Sequence, residues 1–265
     1  LTSDARTELL PLSPTINVWQ AVGVAVGYVV ISIVLGVFGL FNIPGMIDWS
    51  GPFISLGLVW FVTRLKTDVG LLSAFDIDLR DERARKLLWQ GFKYGFLLIG
   101  IQVAIISVIM IFIVGSGNST PDEPAYRQLL GWKTNSEFLA KFTLVALLAP
   151  VTEELLARGL LFAGLRKNMD FTSACLISSL LFGIAHVYWI HIFLAFVLGV
   201  MLCIVAEKTK SLLPGLVCHV MLNSFVMGVL FLASLCSPSD ALKAKGAAET
   251  IQVQTSKVVP SKGVR

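Results

Sequence analysis

Charge is scarce in this chain: only 14% of its 265 residues are Asp, Glu, Lys or Arg, against about a quarter in an average soluble domain. With 55% hydrophobic residues and a mean hydropathy of +0.80, that scarcity excludes an ordinary water-soluble fold. The net charge of +4 is too small and too dispersed to recruit nucleic acid. Cysteine is sparse as well. Cys175, Cys203, Cys218 and Cys236 form no CxxC pair, so neither a disulfide framework nor a zinc ribbon is expected, and the four read as small core hydrophobes. The HExxH signature of soluble zinc proteases is missing, residues 1–15 hold no signal-peptide core, and no inverted repeat of broken helices stands out.

What the chain has instead is a series of apolar runs approaching the ~20 residues that cross a hydrocarbon layer. They fall at about 16–41, 91–114, 138–165, 171–187, 190–206 and 212–235, with a weaker run at 52–62 helped by 46–49. The expected fold is all-α, a multi-pass transmembrane bundle of about seven spans, six to eight being compatible with the run lengths. Three regions follow: an N-terminal membrane region over 1–137, a second membrane region over 138–235, and a tail over 236–265. The tail is poor in aromatics and is expected to be disordered.

The most charged stretch, 64–90, carries Arg64, Lys66, Arg80, Arg83, Arg85 and Lys86 and is expected on the inner side of the membrane. Within it, 81–92 reads either as an amphipathic surface helix or as an ordinary helix start. Arg166-Lys167 and Lys208/Lys210 place two later short loops on the same side. The alternation then puts the tail outside, whereas its own Lys243, Lys245, Lys257, Lys262 and Arg265 favour the inside. Asn118-Ser119-Thr120 fits the N-glycosylation pattern but is short enough to arise by chance.

Against this apolar background, Glu153-Glu154-Leu155-Leu156-Ala157-Arg158 is conspicuous. One charged side chain at the centre of a membrane helix costs roughly 2.5–3.5 kcal/mol, so two adjacent carboxylates require a polar partner or a wet cavity. Three pairs share helix faces at i,i+4 spacing: Glu154 with Arg158, Phe182 with His186, and His219 with Asn223. At ~1.5 Å per residue from the inner loops, Glu153 lies about 20 Å deep, His186 about 24 Å, His219 about 14 Å and Asn223 about 20 Å. They can meet in one cavity, with Ala149, Ala157, Gly159, Gly183, Ala185 and Gly215 permitting close helix approach. A carboxylate and a histidine can deprotonate a water, and a second histidine with an amide can stabilise an oxyanion. Glu153, His186 and His219 are equally a possible zinc-ligand set, so a metal-activated water stays open. His191, beside Tyr188 and Trp189, reads as structural within an interfacial belt.

The ordered set Glu153-Glu154-x-x-x-Arg158, Phe182-x-x-x-His186 and His219-x-x-x-Asn223 resembles the three motifs of the CAAX-protease and bacteriocin-processing (CPBP, or Abi) family. That family includes the Ras-converting CAAX prenyl proteases, and the resemblance covers roughly 138–235. It implies an all-α bundle with a conical intramembrane cavity and an endopeptidase acting on a membrane-tethered substrate, a prenylated CAAX-type protein or peptide being one candidate. By similarity, Glu153 activates water with His186, Glu154 and Arg158 support that carboxylate, and His219 with Asn223 stabilises the oxyanion. The expected partners are membrane lipids and a membrane-tethered peptide or protein. The expected location is a bacterial inner membrane or a eukaryotic organelle membrane such as that of the plastid or endoplasmic reticulum. Two other classes compete: a non-hydrolytic membrane scaffold that protects a partner, and an ion or proton-coupled transporter.

Overall fold

The computed structural model describes residues 82–117, 132, 134–186 and 189–235, together with helical positions at 19, 20, 22, 23, 26, 27, 30 and 57. Every element among them is a helix. The expected spans at 16–41 and 52–62, the glycosylation pattern at 118–120, most of the basic stretch and the tail lie outside the described residues. The chain divides into two compact units, Leu1–Val226 and Met227–Arg265. Three described helices are long and apolar enough to cross a membrane, and a fourth is apolar but shorter. The protein is a membrane-embedded, helical one.

Helix α1 (Glu82–Gly115) has 34 residues, about 51 Å at 1.5 Å per residue, well beyond the ~30 Å of hydrocarbon. The stretch from Glu82 to Phe92 is therefore not a separate surface helix but the opening turns of a continuous span. No proline interrupts it, and Glu82 suits the positive helix N-terminus. Its buried positions, Ala84, Leu87, Gly91, Gly95, Leu98 and Gln102, recur every three or four residues and form one seam. Phe96, Ile111 and Phe112 are exposed, as lipid-facing side chains are. Gly91 is needed in the seam, because a Cβ there would sit 2.7 Å from Val217 Cβ. Gln102 Nε2 ties the same seam to the Leu194 carbonyl at 3.0 Å.

Helix α2 runs over 135–166 and widens twice into π-helical pitch. Thr134 caps it by accepting from the Glu137 backbone N–H at 3.2 Å. A π-helical segment, Thr143–Leu148, precedes the α-turn Ala149–Glu154, and a second, Leu155–Phe162, follows it before Ala163–Arg166. The first has a local cause in Pro150, which carries no N–H and crowds the preceding turn. Every residue of the second π-segment is buried, as a helix apolar all round except at Arg158 should be.

Asp170 caps α3 (Phe171–Ile184) through the Ser173 N–H at 3.0 Å and the Ser173 hydroxyl at 2.7 Å. These two donors hold its carboxyl below the usual aspartate range. Helix α4 (Trp189–Thr209) follows, then α5 (Leu213–Leu235), which begins with Pro214 in its first turn. The expected runs at 138–165, 171–187, 190–206 and 212–235 thus correspond to these four helices with shifts of a few residues at their ends. The α3–α4 contact is tight: a Cβ on Gly199 would fall 2.9 Å from Ser179 Cβ, and one on Gly183 would fall 2.7 Å from the Ile192 carbonyl. At its C-terminal end α2 is clamped to α4 by Arg166, which makes a forked pair of bonds to Glu207, 3.2 and 2.8 Å. That pairing raises the Arg166 pKa above its ordinary value.

Candidate active site

The α-turn between the two π-segments carries Glu153 and Glu154 toward α5. Glu154 is 1% exposed, as is Arg158, and Arg158 Nη1 donates to Glu154 Oε1 at 2.8 Å. The i,i+4 relation expected from sequence therefore survives the pitch change. Gly215 on α5 leaves space for this carboxylate, since a Cβ there would lie 3.2 Å from Glu154 Oε2.

His219, 2% exposed, stands between the two glutamates. Its Nδ1 lies 3.1 Å from Glu154 Oε1, a hydrogen bond, and its Nε2 lies 3.6 Å from Glu153 Oε2, within ion-pair range but long for a hydrogen bond. A doubly protonated imidazole can direct an N–H toward each carboxylate. Glu153, Glu154, Arg158 and His219 then sum to zero charge, the arrangement a low-dielectric interior tolerates best. Glu153 differs from the other three in being 20% exposed at its side chain, so it is the carboxylate that a substrate or water can reach.

Phe182 on α3 joins the remaining groups. The Arg158 guanidinium lies over its ring at 4.4 Å, a cation–π contact. The His186 and His219 rings meet it edge to face at 4.9 and 6.1 Å. His186, half-buried, sits just beyond the end of α3 with Nδ1 2.9 Å from the Phe182 carbonyl. It joins the cluster through Phe182 and makes no direct ion pair with either glutamate among the described residues. Ser178 Oγ, one turn before Phe182, donates to the Ala157 carbonyl at 3.1 Å and holds α3 against the second π-segment.

Asn223 does not pair with His219. Its Nδ2 donates to the Val145 carbonyl at 2.9 Å, and the reason lies in α2. The Ala149 N–H bonds to Leu144, and the residue that would serve Val145 in π-register is Pro150, which has no N–H. Asn223 supplies the missing donor and keeps a second amide hydrogen free. Glu153, His186 and His219, the possible zinc set, are not drawn into a three-ligand group: no cluster of three His, Cys, Asp or Glu side chains placed to hold a metal occurs among the described residues.

Gln102, Gly91 and Ser178 position these helices and carry no motif of their own. A lone glutamine inside an apolar run, and glycines four apart at Gly91 and Gly95, were the available signals.

Residues 135–225 match the family model of the Rce1-like type II CAAX prenyl endopeptidases. The chain is also 24% identical over 148 residues to the "Putative membrane peptidase YdiL" of Bacillus subtilis (strain 168), covering 56% of this chain and 58% of that protein. The chain thus spans a little over half the length of the curated relative it matches. No solved structure matches significantly. The resemblance to the CPBP family is borne out over the region that holds the polar cluster, and it supports a membrane protease in general.

Proposed function

We propose that this chain, whose residues 135–225 carry a CPBP-type protease region, is an intramembrane endopeptidase that hydrolyses a peptide bond of a membrane-tethered substrate by carboxylate-activated water. The observation that carries this reading is the asymmetry between the adjacent glutamates. Glu154 is sealed against Arg158, while Glu153 is partly exposed and faces His219. In the reaction, Glu153 takes a proton from water as the oxygen attacks the scissile carbonyl and returns it to the leaving amine as the C–N bond breaks, with His186, half-buried against Phe182, as the further polar group at the site. Glu154 fixes the His219 ring through Nδ1, so that the Nε2–H is held on the Glu153 side, where it donates to the developing oxyanion. The free amide hydrogen of Asn223 is the second donor. Arg158, neutralised by Glu154 and covered by Phe182, positions and does not react. A prenylated CAAX-type peptide is the substrate suggested by the description of the matched family. No step is routed through zinc.

The test is cleavage of a membrane-tethered peptide library, prenylated peptides included, by wild-type and Glu153→Gln protein in the same liposomes, with chelator in parallel. Glu153→Gln is expected to lower turnover by roughly 10²–10⁴-fold, the usual worth of a general base, while substrate binding and thermal unfolding stay unchanged. Chelator is expected to leave the rate as it is.

The burial of Glu154, Arg158 and His219 also suits a second reading, a non-hydrolytic membrane scaffold that uses the cluster only to lock its helices. That reading requires Glu153→Gln to leave function intact, and an inactive but folded wild type across the whole library would favour it.

A further inference from the structure

Where α3 packs on α4, two thiols lie on facing helices. Gly183 on α3 meets Ile192 on α4, and Ser179 meets Gly199; one number falls as the other rises, so the helices run antiparallel. Cys175 lies one turn before Ser179, and Cys203 one turn after Gly199. That register sets the two cysteines opposite one another where the backbones approach most closely. The side chains agree. Cys175 Sγ lies 3.9 Å from the Val200 carbonyl on α4, and Cys203 Sγ lies 3.9 Å from Ser179 Oγ on α3. Each sulfur thus reaches the facing helix alongside the other. Both are free and buried.

Nearby, Arg158 keeps Nε and Nη2 buried without a hydrogen-bond partner. The register and the two cross-helix sulfur contacts are what bring the thiols together. The proteolytic reading makes no use of either sulfur.

We propose that Cys175 and Cys203 form a reversible intramolecular disulfide, with a small peroxide as oxidant. One sulfur attacks a peroxide oxygen, the O–O bond breaks, and a sulfenic acid and one water result. The second sulfur then displaces the sulfenic hydroxyl, forming the S–S bond and releasing a second water. Two thiols lose two electrons and two protons, and one peroxide becomes two waters. A dithiol reductant restores the pair by exchange. Hydrogen peroxide is small enough to enter a buried site that excludes bulky reagents. Cys218 is the internal control: its thiol donates to the Gly91 carbonyl at 3.2 Å, on a different helix from either member of the pair.

The experiment uses the full chain in detergent micelles, treated with hydrogen peroxide, quenched, unfolded, alkylated and digested for mass spectrometry. A linked peptide joining Cys175 to Cys203 is expected. Alkylation of both should be lost while Cys218 stays alkylated, and dithiothreitol should reverse the change. In a Cys203→Ala variant, Cys175 is expected to stop at the sulfenic acid and be trapped by dimedone. The proposal is overturned if both thiols remain fully alkylated after peroxide, if they oxidise to sulfinate without a link, or if Cys218 is consumed as fast. None of these readouts depends on proteolysis.

Discussion

Removing one partner of the Glu154–Arg158 pair strands a charge in a site that is 1% exposed. Breaking a buried pair from one side costs about 3–5 kcal/mol, whereas replacing both with apolar side chains of similar volume is often close to neutral. Arg158→Leu and Glu154→Leu are each expected to lower unfolding stability by that amount. The double variant should lose less than the sum, with His219 retaining part of the cost because its Nδ1 also loses Glu154. Denaturant unfolding in detergent, run as a double-mutant cycle, measures the coupling. Both singles should lose activity through instability, unlike Glu153→Gln, which is expected to lose turnover in a folded protein. That contrast separates the group that reacts from the groups that hold it.

At the scale of the helix, the bond from Asn223 to Val145 is a consequence of Pro150. Asn223→Ala leaves the Val145 carbonyl unpaired and is expected to cost about 1–3 kcal/mol. Pro150→Ala supplies a backbone N–H in that turn, so Asn223→Ala should cost less in a Pro150→Ala background. Additive losses would show that the proline and the amide act independently. The cap of α3 yields a pH dependence. Asp170 has a folded pKa depressed by its Ser173 donors, so its contribution to stability is fully present above the ordinary aspartate pKa near ~3.9. It is lost as pH falls through the lower folded value. The difference in thermal midpoint between wild type and Asp170→Ala should therefore be largest near neutrality and shrink in acid.

For the whole molecule, the last turns of α2 and α4 and the short loops after them carry Arg166-Lys167 and Lys208/Lys210, and the α2–α4 clamp through Glu207 ties these ends together. Both loops should lie on the side of the basic stretch that opens α1. A cysteine placed at Asn168 or at Lys208, both exposed, is expected to react with an impermeant maleimide only from the inner face of oriented membranes. Labelling of the two from opposite faces would overturn the topology.

Membrane residence, the four helices from 135 to 235 and the ordered motifs were legible in the sequence, because apolar run length and i,i+4 spacing are local properties that survive any packing. Only the tertiary structure decided how those motifs are used. It exposed Glu153 and sealed Glu154, set His219 between the glutamates, and turned Asn223 to a carbonyl that Pro150 leaves unserved. It also placed Cys175, read from sequence as a bland core residue, against Cys203. These outcomes depend on the rotation of each helix about its axis and on two π-segments that shift that rotation part-way along α2. Rotation is set by contacts such as Gly91 with Val217 and Ser179 with Gly199, between residues far apart in the chain, and no single segment encodes them.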